Sequence, residues 1–263
     1  MKPIRVVVQG ASGKMGREVV NALCREPATQ LVGAVELRVS ENYLTLPDGS
    51  AKVPFSSDLE HIITTCQPDV LIDFSTAAAA ISAARIATKK RVNLVIGTTG
   101  LTAEELDEID RLAREYNVGA VVAPNFALGA VLMIHLSSIA ARYFDYAEII
   151  ELHHHLKADA PSGTALKTAR AIAAARGKPF CLPPEKGAVD SRGQKVEGVT
   201  IHSVRLPGIL ARQEVLFGGP GQTLSLKHDT TSRECYMPGI ILATREVVKR
   251  KGLVYGLDSL LGL

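Results

Sequence analysis

The chain has 263 residues, 46% of them hydrophobic, and its 30 basic and 27 acidic residues leave a net charge of +3. That length sits at the upper edge of one domain and is more comfortable as two, with ample apolar material for a core. So small a charge gives no electrostatic case for nucleic acid or an acidic membrane, and no window reaches the ~20 apolar residues of a spanning helix.

The first half alternates short apolar runs with helical stretches. IRVVVQG reads as a strand buried on both faces, since its apolar run is continuous rather than alternating. That run is too short for a signal peptide and flows straight into a glycine motif, so the expected compartment is the cytoplasm. GKMGREVVNALCRE carries helical spacing at Met15, Val19, Val20 and Leu23, and QLVGAVE is the next strand. Residues 37–58 are turn-rich and read as a loop or irregular hairpin. Asp58 then offers an N-cap to the short helix LEHIITTC. DVLIDFS, NLVIGTTG and GAVVAPNF follow as strands, separated by the helices TAAAAISAARIATKK and TAEELDEIDRLAREY. The second of these begins acidic and ends basic, matching the helix dipole. Repeated strand–helix alternation predicts an α/β, doubly wound parallel sheet of the Rossmann type.

The pattern changes after Phe126. A helix (LGAVLMIHLSSIAARYF) leads into a strand, YAEIIELHHH, and then a helix from Pro161. Beyond about Lys178 the chain is β-rich (GVTIHSVRL, QEVLFGG, TLSLKHDTTS), divided by Gly-Pro turns. A last helical stretch, YMPGIILATREVVKR, has no evident sheet partner of its own. The expectation is a dinucleotide-binding domain over 1–125, an inserted α+β substrate-binding domain over 126–233, and a segment 234–263 returning to the first, with hinges near Asn125 and Arg233. Cys24, Cys66, Cys181 and Cys235 are irregularly spaced and suggest no disulfide framework.

Two motifs carry chemistry. Gly10-Ala11-Ser12-Gly13-Lys14-Met15-Gly16 joins the first strand to the first helix, where a pyrophosphate can rest on a helix N-terminus and exposed N–H groups. The spacing is GxxGxxG rather than GxGxxG, and a tight turn needing small residues is the plain alternative. Glu36 ends the second strand about 20 residues beyond Gly16, where an acid meets ribose hydroxyls. Arg38 is placed to reach a 2′-phosphate, so the cofactor is read as NADPH or NADH. Gly97-Thr98-Thr99-Gly100 and Ala123-Pro124-Asn125-Phe126 also follow strands and belong on the same carboxyl edge.

The second motif is ELHHHLKADAPSGTA. On a continuing strand, His153 and His155 share one side and His154 the other, which disfavours a metal site built from the three, and no metal is expected. A structural histidine patch is one reading. The other is chemical: Pro161-Ser162-Gly163-Thr164 opens a helix whose unpaired N–H groups bind anions. Lys157 and Arg233 add positive charge suited to a small dicarboxylate, and histidine and lysine beside it can supply a proton.

Together, VVVQGASGKMGRE, GTTG, APNF and above all ELHHHLKADAPSGTA resemble the 4-hydroxy-tetrahydrodipicolinate (dihydrodipicolinate) reductase family of the diaminopimelate route to lysine, over essentially the whole chain. The resemblance implies reduction of a cyclic imine dicarboxylate by NADH or NADPH with loss of water. It implies that His153 is the proton donor/acceptor, Lys157 a proton donor, and His154 a substrate contact. Gly163 and Thr164 match the backbone grip on a carboxylate, and Arg233 a basic residue near the substrate. Gly10 to Met15, Glu36, Gly97 to Thr99 and Ala123 to Phe126 match cofactor contacts. It also implies a homotetramer joined through the second domain's sheet. Two departures stand out: Leu37 follows the acidic residue where many relatives have arginine, and His155 and Leu156 replace two polar positions of HHRHK. Three rivals remain: another two-domain NAD(P)-dependent dehydrogenase, a non-catalytic nucleotide-sensing module, and a metal-dependent hydrolase.

Overall fold

The computed structural model describes residues 2–184 and 189–263. The chain divides into two compact units, one of Met1–Leu128 with Arg233–Leu263 and one of Gly129–Ser232.

The first unit begins with β1 (Ile4–Gln9), α1 (Lys14–Arg25) and β2 (Thr29–Val35). Val6, Val7 and Val8 are fully buried, as a strand covered on both faces requires. Next come β3 (Tyr43–Thr45) and β4 (Lys52–Ser56), an antiparallel pair. The turn-rich segment is therefore a hairpin, and β4 also pairs in parallel with β2, extending the main sheet. Then follow α2 (Leu59–Cys66), β5 (Val70–Asp73), α3 (Ala77–Lys89), β6 (Asn93–Ile96), α4 (Ala103–Glu115) and β7 (Gly119–Val122). Local chemistry sets the helix starts. The Asp58 side chain accepts from the His61 amide at 2.9 Å. Thr102 and Glu105 form a reciprocal capping box, each side chain accepting from the other's amide.

The second unit holds most of α5 (Leu128–Ala140), then β8 (Tyr146–His153) and α6 (Gly163–Arg176). It continues with β9 (Gln194–Val196), β10 (Val199–Arg205), β11 (Ala211–Gly219) and β12 (Gln222–Thr230). These strands make a mixed five-stranded sheet in the order β12-β11-β8-β10-β9. On β8, Ala147, Ile149 and Glu151 are buried while Tyr146, Glu148, Ile150 and Leu152 point the other way. α6 packs on the buried face, and Ile149, Ile172, Ile201 and Phe217 form the centre of that core.

The chain then returns to the first unit through α7 (Met237–Val247), β13 (Gly252–Tyr255) and α8 (Leu257–Leu261). The C-terminal stretch does bring a sheet partner: β13 pairs in parallel with β7 and completes an eight-stranded sheet, β13-β7-β6-β5-β1-β2-β4-β3. Only four residues long, it carries too little pattern to stand out after a helix. The expected doubly wound parallel sheet with an α+β second unit holds, the one antiparallel member being β3 at the edge. One further correction concerns the histidines: the strand ends at His153, and the chain turns at once, the Lys157 amide donating to the His154 carbonyl at 3.1 Å. Strand alternation therefore does not govern His154 and His155.

Candidate active site

In the first unit the strand order reverses between β1 and β5, which are neighbours in the sheet. A crevice outside the carboxyl ends of strands at such a point is where open α/β sheets bind ligands. A cleft of about 770 Å³ lies there, lined by Gly10, Gly13, Glu36, Phe74, Ser75 and Thr76 among others. Gly10 has φ +76°, and a Cβ on it would come within 2.5 Å of the Phe74 carbonyl oxygen. A Cβ on Gly16 would collide with the Gly10 carbonyl, so the loop folds tightly against the start of α1 only because both lack side chains. The Ser12 amide donates to the Glu36 carboxylate at 3.0 Å. The loop thus presents an N–H that already donates to an anionic partner, and Glu36 stands beside it at the end of β2. These residues fit a dinucleotide.

The other expected cofactor residues have distinct situations. Ala11 is buried, Met15 half-buried and Lys14 exposed. Leu37 is 85% exposed, and Arg38 is exposed beside it. The Thr98 hydroxyl is already engaged, donating to Asp73 at 2.5 Å, while Thr99 and Pro124 face outward. The Asn125 side chain accepts from the Ala127 amide at 2.9 Å, opening α5. Ala123 and Phe126 are buried, and the Phe126 ring lies 6.0 Å from that of Phe74.

Asp73, Phe74 and Ser75 were not singled out from the sequence, where DVLIDFS reads as a plain strand. Asp73 is buried and also accepts from the Ser75 hydroxyl at 2.8 Å. The Ser75 amide donates to the Thr98 hydroxyl at 2.9 Å, so the loops after β5 and β6 are tied together. Burial pushes the Asp73 carboxyl upward, opposed by its hydrogen bonds from Thr98, Ser75 and Gln9.

In the second unit the chemistry gathers at the end of β8. His153 Nδ1 lies 2.5 Å from the Glu151 carboxylate. Arg205, at the end of β10, grips the same carboxylate with two nitrogens, at 3.1 and 2.9 Å. The Ser162 amide donates to it at 3.3 Å. Burial raises the Glu151 pKa, but hydrogen bonds from His153, Arg205 and Ser203 outweigh that and bring it to about 2. Neither Glu151 nor Arg205 was picked from the sequence. The one available signal was an acid at an inward position of an otherwise apolar strand face.

Lys157 donates to both oxygens of Asp159, at 2.6 and 2.8 Å. That contact holds the Asp159 carboxyl below its ordinary value despite some desolvation. Ser162 caps α6, its hydroxyl accepting from the Ala165 amide at 3.2 Å. Space within 4 Å of the Gly163 Cβ position is open, so the first turn of α6 faces a free region. His154 is half-buried and His155 exposed. Structure brings His153, Lys157 and the Ser162–Thr164 turn into one unit, whereas Arg233 belongs to the first unit, in a 3-10 turn before α7. Among the described residues no cluster of three or more His, Cys, Asp or Glu side chains is placed to hold a metal ion.

Two family models match the chain: "Dihydrodipicolinate reductase, N-terminus" over residues 4–126 and "Dihydrodipicolinate reductase, C-terminus" over residues 129–261. A curated 4-hydroxy-tetrahydrodipicolinate reductase of Dehalococcoides mccartyi is 54% identical over 263 residues, covering all of both chains. One from Moorella thermoacetica is 50% identical, covering 98% of each. The dipicolinate-bound dihydrodipicolinate reductase of Paenisporosarcina sp. TG-14 is similar in structure, with TM-score 0.86, 41% identity and coverage of 98% and 99%. An amine dehydrogenase of Mycobacterium smegmatis shares the fold at 17% identity and TM-score 0.67.

The state of Glu151 has a consequence for acid stability. Its folded pKa, about 2, lies below the ordinary 4.5. The stability it contributes is therefore complete above the unfolded value and lost as pH falls through the window between the two. Urea unfolding followed across that window is expected to show a falling midpoint, and Glu151→Gln, which does not titrate, loses that share of the acid dependence.

Proposed function

The chain belongs to the dihydrodipicolinate reductase family, and from that premise we propose how its residues divide the work. The reaction is the NAD(P)H-dependent reduction of 4-hydroxy-2,3,4,5-tetrahydrodipicolinate to tetrahydrodipicolinate and water, in diaminopimelate and lysine biosynthesis. The bound nicotinamide supplies the hydride. This chain's residues hold the reactants, exclude alternatives and manage the proton.

The glycine loop and its α1 N-terminus take the pyrophosphate, with Glu36 on the ribose of the adenosine half. In the second unit, the α6 turn with Gly163 and Thr164 offers backbone N–H groups to one substrate carboxylate, and His154 and Lys157 add charge and hydrogen bonds. The hydroxyl departs as water with a hydrogen from the neighbouring ring carbon. The negative charge that reduction leaves on the ring takes one proton, for which His153 and Lys157 are the donors in reach. One observation carries this reading: an ionisable histidine, a lysine and an open helix N-terminus meet at one end of one sheet. A nucleotide-sensing module has no use for that combination.

We also propose a homotetramer built on the outward face of the five-stranded sheet. There Ile150, Leu152 and Leu216 are half-buried and Val204 is 38% exposed. Glu148 pairs with His202 at 2.8 Å and Lys227 with Asp229 at 3.1 Å, while Glu214 accepts from the Ser225 hydroxyl at 2.7 Å. Such a face loses little on desolvation when a second copy covers it. No helix among the described residues is long and apolar enough to cross a membrane. We propose the cytoplasm as its compartment.

Three outcomes are expected. With freshly made hydroxy-tetrahydrodipicolinate, absorbance at the nicotinamide band falls; no oxidation of either NADH or NADPH would overturn the assignment. The ratio of the two rates reads Arg38, because NADPH preference requires a cation on the 2′-phosphate. Lys157→Ala lowers turnover by roughly 10²-fold, and near-normal turnover removes the lysine from the proton step. Sedimentation gives the mass of four chains, a monomer being the contrary result.

A further inference from the structure

Glu151 lies two residues before His153 on β8 and faces the same side of the sheet, with its side chain 0% exposed. An ionised carboxylate has no hydrogen to give and can only accept. The His153 nitrogen 2.5 Å away must therefore carry its hydrogen toward Glu151. The neutral ring is then the Nδ1–H form, with a bare Nε2. Arg205 does more than balance the charge. Its Nε donates to the Lys157 carbonyl at 3.3 Å and its Nη2 to the Asp159 carbonyl at 2.6 Å. One guanidinium thus joins the carboxylate that faces His153 to the backbone that carries Lys157. A pair serving only to fill the core gains nothing over apolar side chains of similar volume. Here the contacts of the pair include His153, the backbone of Lys157 and the Ser162 amide that opens α6.

We propose that Glu151 is a positioning residue for the proton-transfer step: it fixes His153 in the Nδ1–H form, so that Nε2 alone exchanges protons, and through Arg205 it sets the Lys157 loop against that ring. This rests on the reading of His153 and Lys157 as the proton-handling pair. The arrangement follows the general logic by which a base is oriented by a third group.

The test uses the full chain labelled with ¹⁵N-histidine. In Glu151→Gln the amide presents either its oxygen or its NH₂ group to Nδ1, so selection of the tautomer is lost. Expected is a fall in kcat of roughly 10²-fold with KM for both substrates within about threefold of wild type. The His153 ¹⁵N resonances move from the Nδ1–H pattern to a tautomer mixture. Should the buried Arg205 charge prevent that variant from folding, Glu151→Gln with Arg205→Gln leaves no buried charge and is expected to give the same tautomer mixture. An unchanged kcat, a loss confined to KM, or a His153 that keeps its Nδ1–H pattern in the variant overturns the proposal. The tautomer is read without turnover, so the two readings fail separately. A wild type inactive on the substrate overturns the functional assignment, whereas an active wild type whose tautomer ignores Glu151 overturns this one.

Discussion

A carboxylate taken wholly out of water costs several kcal/mol unless its charge and lone pairs are met. Glu151 is such a group, and the local fold of the second unit is the answer to that cost. Arg205 comes from the neighbouring strand, His153 from two positions along, and the Ser162 amide from the mouth of a helix. Each partner lies on a different element, so satisfying one side chain brings the end of β8, the end of β10, the loop 154–161 and the first turn of α6 to a common point. The open helix terminus, His153 and the Lys157 loop are neighbours for that reason.

The first unit holds a second buried acid, and the contrast is informative. Asp73 and Glu151 are both withdrawn from solvent, yet their carboxyls move in opposite directions. Neutral donors surround Asp73: two hydroxyls, an amide and the Gln9 side chain. Desolvation wins there. Glu151 faces a guanidinium, and charge-assisted hydrogen bonds win. The Asp73 group still does mechanical service, since it links the loops after β5 and β6 at the carboxyl edge where a parallel sheet collects its ligand-binding turns.

Much of this was legible in the residues, for physical reasons. Continuous apolar runs announce strands buried on both faces, helical spacing places the layers over them, and glycines mark where backbone meets backbone. The expected doubly wound parallel sheet follows from those local signals, while its strand order is a matter of tertiary pairing. What escaped depends on partners distant in the chain. The strand through YAEIIELH was expected to continue over His154 and His155. It stops because the loop is caught by Arg205, 48 positions beyond Lys157. Glu151 looked like one more residue in an alternating strand, and its character is set by a guanidinium 54 positions away. The four-residue β13 was hidden for a related reason: it is too short to carry a period of its own and is held by the sheet it joins. The segment of β3 and β4, read as a loop or irregular hairpin, resolves to the hairpin through pairing that local pattern leaves open.

The late arrival of β13 bears on how the chain is made. Gly119 and Gly252 are paired across the same sheet, with the entire second unit between them in sequence. A nascent chain emerging from its N-terminus can form β1 through β7 early, but the outer edge of β7 and the helix α7 that packs over β6 and β7 wait for the final residues. Until then β7 shows an unpaired strand edge, the kind that recruits other strands. The second unit has no such delay, because all five of its strands lie within one uninterrupted stretch. Insertion thus lets the second unit finish folding before the first.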